Sequence, residues 1–353
     1  MELPEPPATS FASDNTTGID PVVLDALVAA NAAPAAGAYG TDDLSHTLTE
    51  AMRDLIGSPV EVLSCFGGTG ANTVALASLL APWQAVVCAE TAHVVEDEAG
   101  GPTRFSGSML LTVPGVDGKL TPDSLARYRS WQGIEHRAQP AVVSVSQTTE
   151  LGTVYTPDEL AALCDAAHAA GMRVHMDGAR IANAVAATGC ELDVLVRDTG
   201  VDVLTFGATK NGAAYGEAVV FVDPDLAGPA RFVRKQAGQL PSKTRFVAAQ
   251  LLALLDGGRW IANASHANAM ARRLATKMAS VEGVVIERAP EANAVFAHLA
   301  RAAIRPAQRW SPFWVWDDGA DVVRWMTSFA TPPADVDRFV DGIAAVLAAH
   351  TGT

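Results

Sequence analysis

Metal-ligand spacing is missing from this chain of 353 residues. Its eight histidines are dispersed, with no HExxH or comparable pair, so no metal site is expected. Cysteine is scarce: Cys65, Cys88, Cys164 and Cys190 form no CxxC pair, which argues for reduced, buried thiols and against a disulfide frame. Charge is thin at 18% and skewed, for 39 acidic residues against 25 Lys and Arg give a formal net charge of −14. With no Lys/Arg tract to override it, that balance disfavours nucleic acid and anionic membrane surfaces as partners. No apolar run approaches the roughly 18 residues that span a bilayer. The opening "MELPEPPATS" lacks a signal peptide's basic start and apolar middle, so a cytoplasmic address is the expectation.

Apolar residues make up 49% of the chain, which suits a well-buried interior and argues against disorder. The length exceeds one ordinary core. From about residue 60, short apolar runs alternate with longer helical stretches: "VEVLSCF", "AVVCA", "SMLLTV", "AVVSVS", "MRVHMD", "VDVLTF" and "EAVVFV" read as strands. They are continuously apolar more than alternating, as strands buried on both faces are. The expected fold is therefore α/β, a mostly parallel central sheet covered by helices on both faces. Between two of the runs, "TPDELAALCDAAHAAG" reads as a helix capped by Thr156, with Pro157 in its first turn and Gly171 past its end. After "AVVFV" the pattern changes to helices near 242–256 and 258–281, four strand-like runs, and a last helix over 333–349. This predicts an N-terminal segment 1–20, a large domain 21–255 and a smaller α+β domain 256–353.

Three short stretches carry candidate chemistry. "GGTGAN", residues 67–72, is a glycine-rich turn between a strand and a helix; it is a plain tight turn, or a phosphate cradle at a positive helix end. In "VHMDGAR", Asp177 ends a doubly buried strand, where it either caps the next helix or faces a cationic ring nitrogen. One strand–helix–strand unit later, "TFGATKNG" puts Lys210 among residues with almost no side chain. An ordinary lysine there is a solvated charge. An unhindered, partly desolvated lysine beside a carboxylate and a phosphate cradle is instead the set that pyridoxal phosphate requires.

Nine segments in order support that reading: "FASDNTTG", "AYGTDD", "GGTGAN", "AHVVEDEAGG", "SQTTELGTVY", "HMDGAR", "FGATKNG", "RKQAGQLPSKTRF" and "RWMTSF". Together they resemble the threonine aldolase and β-eliminating lyase group within the aspartate-aminotransferase-like fold of pyridoxal phosphate enzymes, and above all the low-specificity L-threonine aldolases. The resemblance implies that Lys210 forms the Schiff base and that Asp177 pairs with the pyridinium nitrogen. It also implies that His93 stacks on the ring and serves as a base or orients a water. Gly68, Thr69 and Gly70 would hold the phosphate. Arg180 would lie beside the phenolic oxygen or the substrate carboxylate, and Ser13 and Arg324 would clamp that carboxylate. Tyr39 would line the substrate pocket, its own or that of a partner subunit, and Lys243 or Arg245 would reach a phosphate across a dimer.

One departure matters. Many relatives carry an Asn-Thr-His-Asn run where this chain reads "QTTE", residues 147–150, so Thr149 replaces a histidine that some of them have. Gln147 then becomes the candidate for contact with the ring or its oxygen. The activity implied is retro-aldol cleavage of L-3-hydroxy-amino acids (L-threonine, L-allo-threonine, phenylserine-like) to glycine and an aldehyde, in a homodimer or homotetramer. The competing readings are a β-eliminating lyase or aminotransferase on the same fold, and a non-catalytic relative.

Overall fold

Each of the seven apolar runs forms a strand. The structure is a computed structural model, and it describes residues 3–350. The strands are β1 (Glu61–Cys65), β2 (Gln84–Ala89), β3 (Met109–Val113), β4 (Gln139–Ser146), β5 (Arg173–Gly178), β6 (Val203–Gly207) and β7 (Glu217–Phe221). They lie in the order β1-β7-β6-β5-β4-β2-β3, with every neighbouring pair parallel except those made by β7. Every residue of β6 and β7 is buried, as their lack of alternation predicts. The expected mostly parallel, doubly covered sheet is therefore the observed one.

Local signals set where the helices begin and end. Thr156 Oγ1 accepts the N–H of Glu159 at 3.2 Å and Glu159 returns the bond to the Thr156 N–H at 2.8 Å, a reciprocal cap that opens the helix Pro157–Ala169. Such a cap stabilises a helix by ~1 kcal/mol.

A second sheet is antiparallel, in the order β10-β11-β9-β8: β8 (Val284–Ile286), β9 (Ala294–Leu299), β10 (Trp314–Asp317) and β11 (Val322–Met326). The last helix, Pro333–His350, packs on it, and Phe313, Trp325 and Phe339 meet edge-on in its core. Phe11 stacks on Phe339 with centroids 4.2 Å apart, and its carbonyl accepts the Met326 N–H at 2.9 Å. Burying that ring contributes ~2–3 kcal/mol. It also anchors the N-terminal segment, which places residues 13–16 beside the end of the large sheet. The helix Arg259–Met278 serves both cores, with Trp260 and Ala264 in the first and Ala271 and Leu274 in the second.

The carboxyl ends of β4, β5 and β6 stand level. Ser146 is opposite Asp177, and Asp177 is opposite Thr205. Past them the chain is pinched: a Cβ on Gly207 would strike the backbone of Ala179, carbonyl included, so only glycine lets the loops after β5 and β6 approach this closely. That approach brings the Asp177 loop against the turn that carries Lys210.

Candidate active site

A cavity of about 240 Å³ opens at this edge of the sheet. Such crevices beyond the strand ends are where open α/β sheets hold ligands. Lys210, Asp177, His93, Arg180, Gly68 and Thr69 all line it. They come from separate elements: the turn after β6, the end of β5, the start of the short helix His93–Glu96, the loop after β5, and the start of the helix Gly68–Leu79.

Among the described residues, no hydrogen bond or ion pair engages the Lys210 amine. Burial pushes its pKa down and the Arg180 charge adds to that, against the opposing pull of Asp14, Asp177 and Glu217. The result is an amine that loses its proton more readily than a surface lysine. Asp177 shows the opposite balance. Burial would raise it, but Lys210, the Ala179 N–H, His175 and the Asn72 amide outweigh burial and hold it below the usual carboxylate range. Its oxygens accept from Ala179 N at 2.9 Å and Asn72 Nδ2 at 2.7 Å. The next helix, Ile181–Thr188, has no side-chain cap, so Asp177 is not there to cap it.

The helix Gly68–Leu79 starts without a side-chain cap, and a Cβ at Gly67 or Gly68 would meet nothing within 4 Å. Its first-turn N–H groups therefore open toward the cavity, as an anion site requires. Asn72 Oδ1 and Glu98 Oε2 are buried without hydrogen-bond partners. An unpaired amine, a buried ionised carboxylate, an open helix start and unsatisfied polar atoms on one cavity fit pyridoxal phosphate.

Several expected site residues stand elsewhere. Gln147 is fully buried, and its amide is spent on the backbone of Tyr155, donating to the carbonyl at 2.9 Å and accepting the N–H at 3.0 Å. It cannot contact a ring in the cavity. Thr148 and Glu150 of the same run line the wall instead. Gly70 does not line the cavity either; its α-carbon faces the Gln239 side chain, whose Oε1 accepts the Phe66 N–H at 3.1 Å. Tyr39 lies away from its own chain's cavity, 51% exposed, with the Lys235 amine 5.3 Å from its ring centre. Ser13 caps the short turn Asp14–Thr16 and is not on the cavity wall, whereas its neighbour Asn15 is. Arg245 donates to the Pro34 carbonyl at 3.1 Å, and Lys243 is exposed.

Arg324 is no surface ion pair. Its guanidinium lies 5.0 Å from the Trp316 ring centre, its Nε is buried without a partner, and burial together with the Arg180 charge pulls its pKa down to about 10. Such a group favours a carboxylate.

The structure also brings in residues that the sequence analysis passed over. Asp14 takes Arg180 in a two-pronged grip at 2.7 and 2.9 Å; burial pushes its carboxyl up, but Arg180 brings it down to about 2. Glu150 accepts from Ser146 Oγ at 2.6 Å and His93 N at 2.8 Å, and burial raises its pKa. Glu217 lines the cavity, accepts the Ala208 N–H at 2.6 Å, and is driven by burial up to about 7. Glu98 Oε1 lies 3.0 Å from His93 Nδ1.

Comparison with known proteins is decisive on kinship. A family model described as beta-eliminating lyase matches residues 10–302. The chain belongs to that family. It is 41% identical to a low-specificity L-threonine aldolase of a Pseudomonas species over 96% of this chain and 98% of that one. It is 43% identical to the protein of that name from Pseudomonas aeruginosa, over 93% and 94%. Among solved structures, a threonine aldolase of Leishmania major superposes with a TM-score of 0.88 at 28% identity, over 96% of this chain and 99% of that one. Like the rest of the family, this lyase draws its chemistry from pyridoxal phosphate, and among the described residues no helix is long and apolar enough to cross a membrane.

Proposed function

We propose that this lyase is an aldolase that cleaves L-3-hydroxy-amino acids such as L-threonine, L-allo-threonine and phenylserine to glycine and an aldehyde. One observation carries the reading: an unpaired amine on a half-buried Lys210 and an ionised carboxylate at Asp177 share one cavity, in a chain over 40% identical to L-threonine aldolases. Bound pyridoxal phosphate supplies an aldehyde for an amine to bond and a ring that accepts the electron pair of a breaking Cα–Cβ bond.

The residues divide the remaining work. Lys210 provides the amine, which its surroundings keep free of ion pairs. Asp177 holds a proton on a ring nitrogen through charge. The start of the helix at Gly68 and Thr69 takes the phosphate with backbone and hydroxyl donors. Arg180 and Arg324 would hold the substrate carboxylate and so fix the substrate's orientation in the site. His93 lines the same cavity and takes the β-hydroxyl proton.

A homo-oligomer in a cytoplasmic setting completes the proposal. The helix Pro21–Ala32 leaves Leu24 and Val28, one turn apart, 49% and 63% exposed, an apolar patch that a second subunit would cover. Free Cys65, Cys88 and Cys164, all buried, suit a reducing compartment. We carry the division at residues 20 and 255 as part of the same reading; the two separate cores support it, with Arg259–Met278 as their shared spine.

The test is a product assay. L-Threonine, L-allo-threonine and phenylserine should each yield glycine and the matching aldehyde in equal amounts, and Lys210→Ala should remove both turnover and the visible imine absorbance. Keto acid in place of aldehyde would identify a β-eliminating lyase, where ammonia is released with it, or an aminotransferase, where it is not. Full turnover in the Lys210 variant would remove the lysine from the chemistry.

A further inference from the structure

Glu98 follows His93 by five residues within "AHVVEDEAGG", and its side chain is wholly buried. Its Oε1 lies 3.0 Å from His93 Nδ1 and also accepts the Asn72 amide at 2.8 Å. The same Asn72 nitrogen donates to Asp177 Oδ2 at 2.7 Å. One amide group thus binds two carboxylates, with its own oxygen left buried and unpartnered. A buried oxygen without a donor is costly, so this arrangement is stabilised by what the nitrogen holds together.

We propose that Glu98 is a positioning residue for His93: it accepts the Nδ1–H and so presents Nε2 to the cavity, while Asn72 ties this carboxylate to Asp177. The proposal rests on the aldolase reading above. A carboxylate oxygen that already takes an N–H from Asn72 acts as an acceptor, so the proton between it and the ring belongs to Nδ1. The Nε2 lone pair then faces the cavity, where it can take a hydroxyl proton directly or through a water. The ring is tethered twice, because its backbone N–H is held by Glu150 Oε1 at 2.8 Å. This is the logic by which a buried carboxylate sets the tautomer of a catalytic imidazole. The charges around the ring agree with it. The hydrogen bond that His93 donates to Glu98 raises the His93 pKa, burial opposes that, Asp177 adds to it and Lys210 subtracts, with the net direction upward.

Two measurements on the cofactor-loaded enzyme decide the matter. Nitrogen NMR of ¹⁵N-histidine-labelled parent enzyme, at a pH above the His93 titration, should show the neutral ring with its proton on Nδ1; a neutral ring with the proton on Nε2 overturns the proposal without any variant. Glu98→Gln keeps an acceptor but loses the charge. His93 should titrate at lower pH in it, the rising limb of the kcat/KM profile should move down with that titration, and kcat should fall roughly 10- to 100-fold. The visible imine absorbance should not change.

A merely structural Glu98 would cost the same factor whether or not His93 is present. Glu98→Gln should therefore cost little in a His93→Asn background, and an equal cost in both backgrounds overturns the assignment. An unmoved His93 titration does the same. Failure of the aldolase reading would look different: the parent would release no glycine, while the His93–Glu98 titration would stand.

Discussion

Glu217→Gln should flatten part of the pH dependence of stability, and the structure fixes both sign and size. Glu217 opens β7 directly opposite Gly207, and its Oε2 accepts the Ala208 N–H at 2.6 Å. Burial lifts this carboxyl from 4.5 to about 7, with Thr209, the Ala208 N–H and the Lys210 charge offsetting only part of the effect. In the unfolded chain the same group releases its proton near 4.5. Between these values the folded protein binds more protons than the unfolded one. The stabilising contribution is therefore complete below pH 4.5 and is lost as the pH rises through about 7. At ~1.4 kcal/mol per pH unit, that span corresponds to about 3 kcal/mol of unfolding free energy. Glutamine keeps an oxygen for the Ala208 N–H and has no proton to lose. Urea unfolding of cofactor-free protein, followed by tryptophan fluorescence at one protein concentration, should show the variant gaining on the parent by about 3 kcal/mol between pH 5 and pH 8. All other titrating groups are common to both proteins and cancel. A difference that stays constant across that range would refute the buried, proton-holding Glu217.

Asp177→Asn should bind the cofactor more weakly and cut cleavage by at least ~100-fold, since a neutral amide cannot hold a ring nitrogen protonated; turnover equal to the parent's would remove the proposed role. Arg324→Ala should raise KM roughly 10- to 100-fold with a smaller loss of kcat, the cost of one charge-assisted bond to a carboxylate; an unchanged KM would confine Arg324 to its stack on Trp316.

The sheet was legible because the chain writes it plainly. Runs buried on both faces carry no polar alternation, so "VDVLTF" and "EAVVFV" could be read as strands without knowing their neighbours. Lys210 and Asp177 were legible for the same reason, as polar residues at the ends of such runs. Gln147 misled because the motif alone, with Thr149 standing where some relatives have a histidine, made it the candidate for the ring contact. The chain turns after Ser146, which sends the Gln147 amide back to the Tyr155 loop and aims Thr148 and Glu150 forward. Gly70, read as part of the phosphate cradle, is not on the cavity wall, and its missing Cβ also makes room for the Gln239 side chain. Two missed residues did leave a signal. Glu217 is an acid that opens a run of five buried residues, and Asp14, inside "FASDN", is the anion a buried Arg180 requires. Glu98 left a weaker one, since it lies in the loop just past the short helix His93–Glu96, where no helical spacing links it to His93. Contacts between segments over 200 positions apart, such as Asn293 with Asp14, have no local signature at all.

Charge balance explains why the site holds so many acids. Asp14, Glu98, Glu150, Asp177 and Glu217 gather around Lys210, Arg180 and Arg324 in an interior where five unopposed anions would be prohibitive. The protein sorts them by distance from fixed cations. Asp14, in direct contact with Arg180, and Asp177, facing Lys210, are held ionised. Glu150 and Glu217 have hydrogen-bond donors but no cation in contact, and burial moves both toward the neutral acid. Glu217, which pulls on the Lys210 amine, is thereby weakened as an ion-pair partner, while Arg180, which repels the amine's proton, is neutralised only in part by Asp14. An anion added at the open start of the Gly68–Leu79 helix acts in the same direction, since further negative charge raises every neighbouring carboxyl. Loading the site therefore pushes Glu150 and Glu217 further toward the neutral acid, while Asp14 and Asp177, each with its donors and its cation, stay charged.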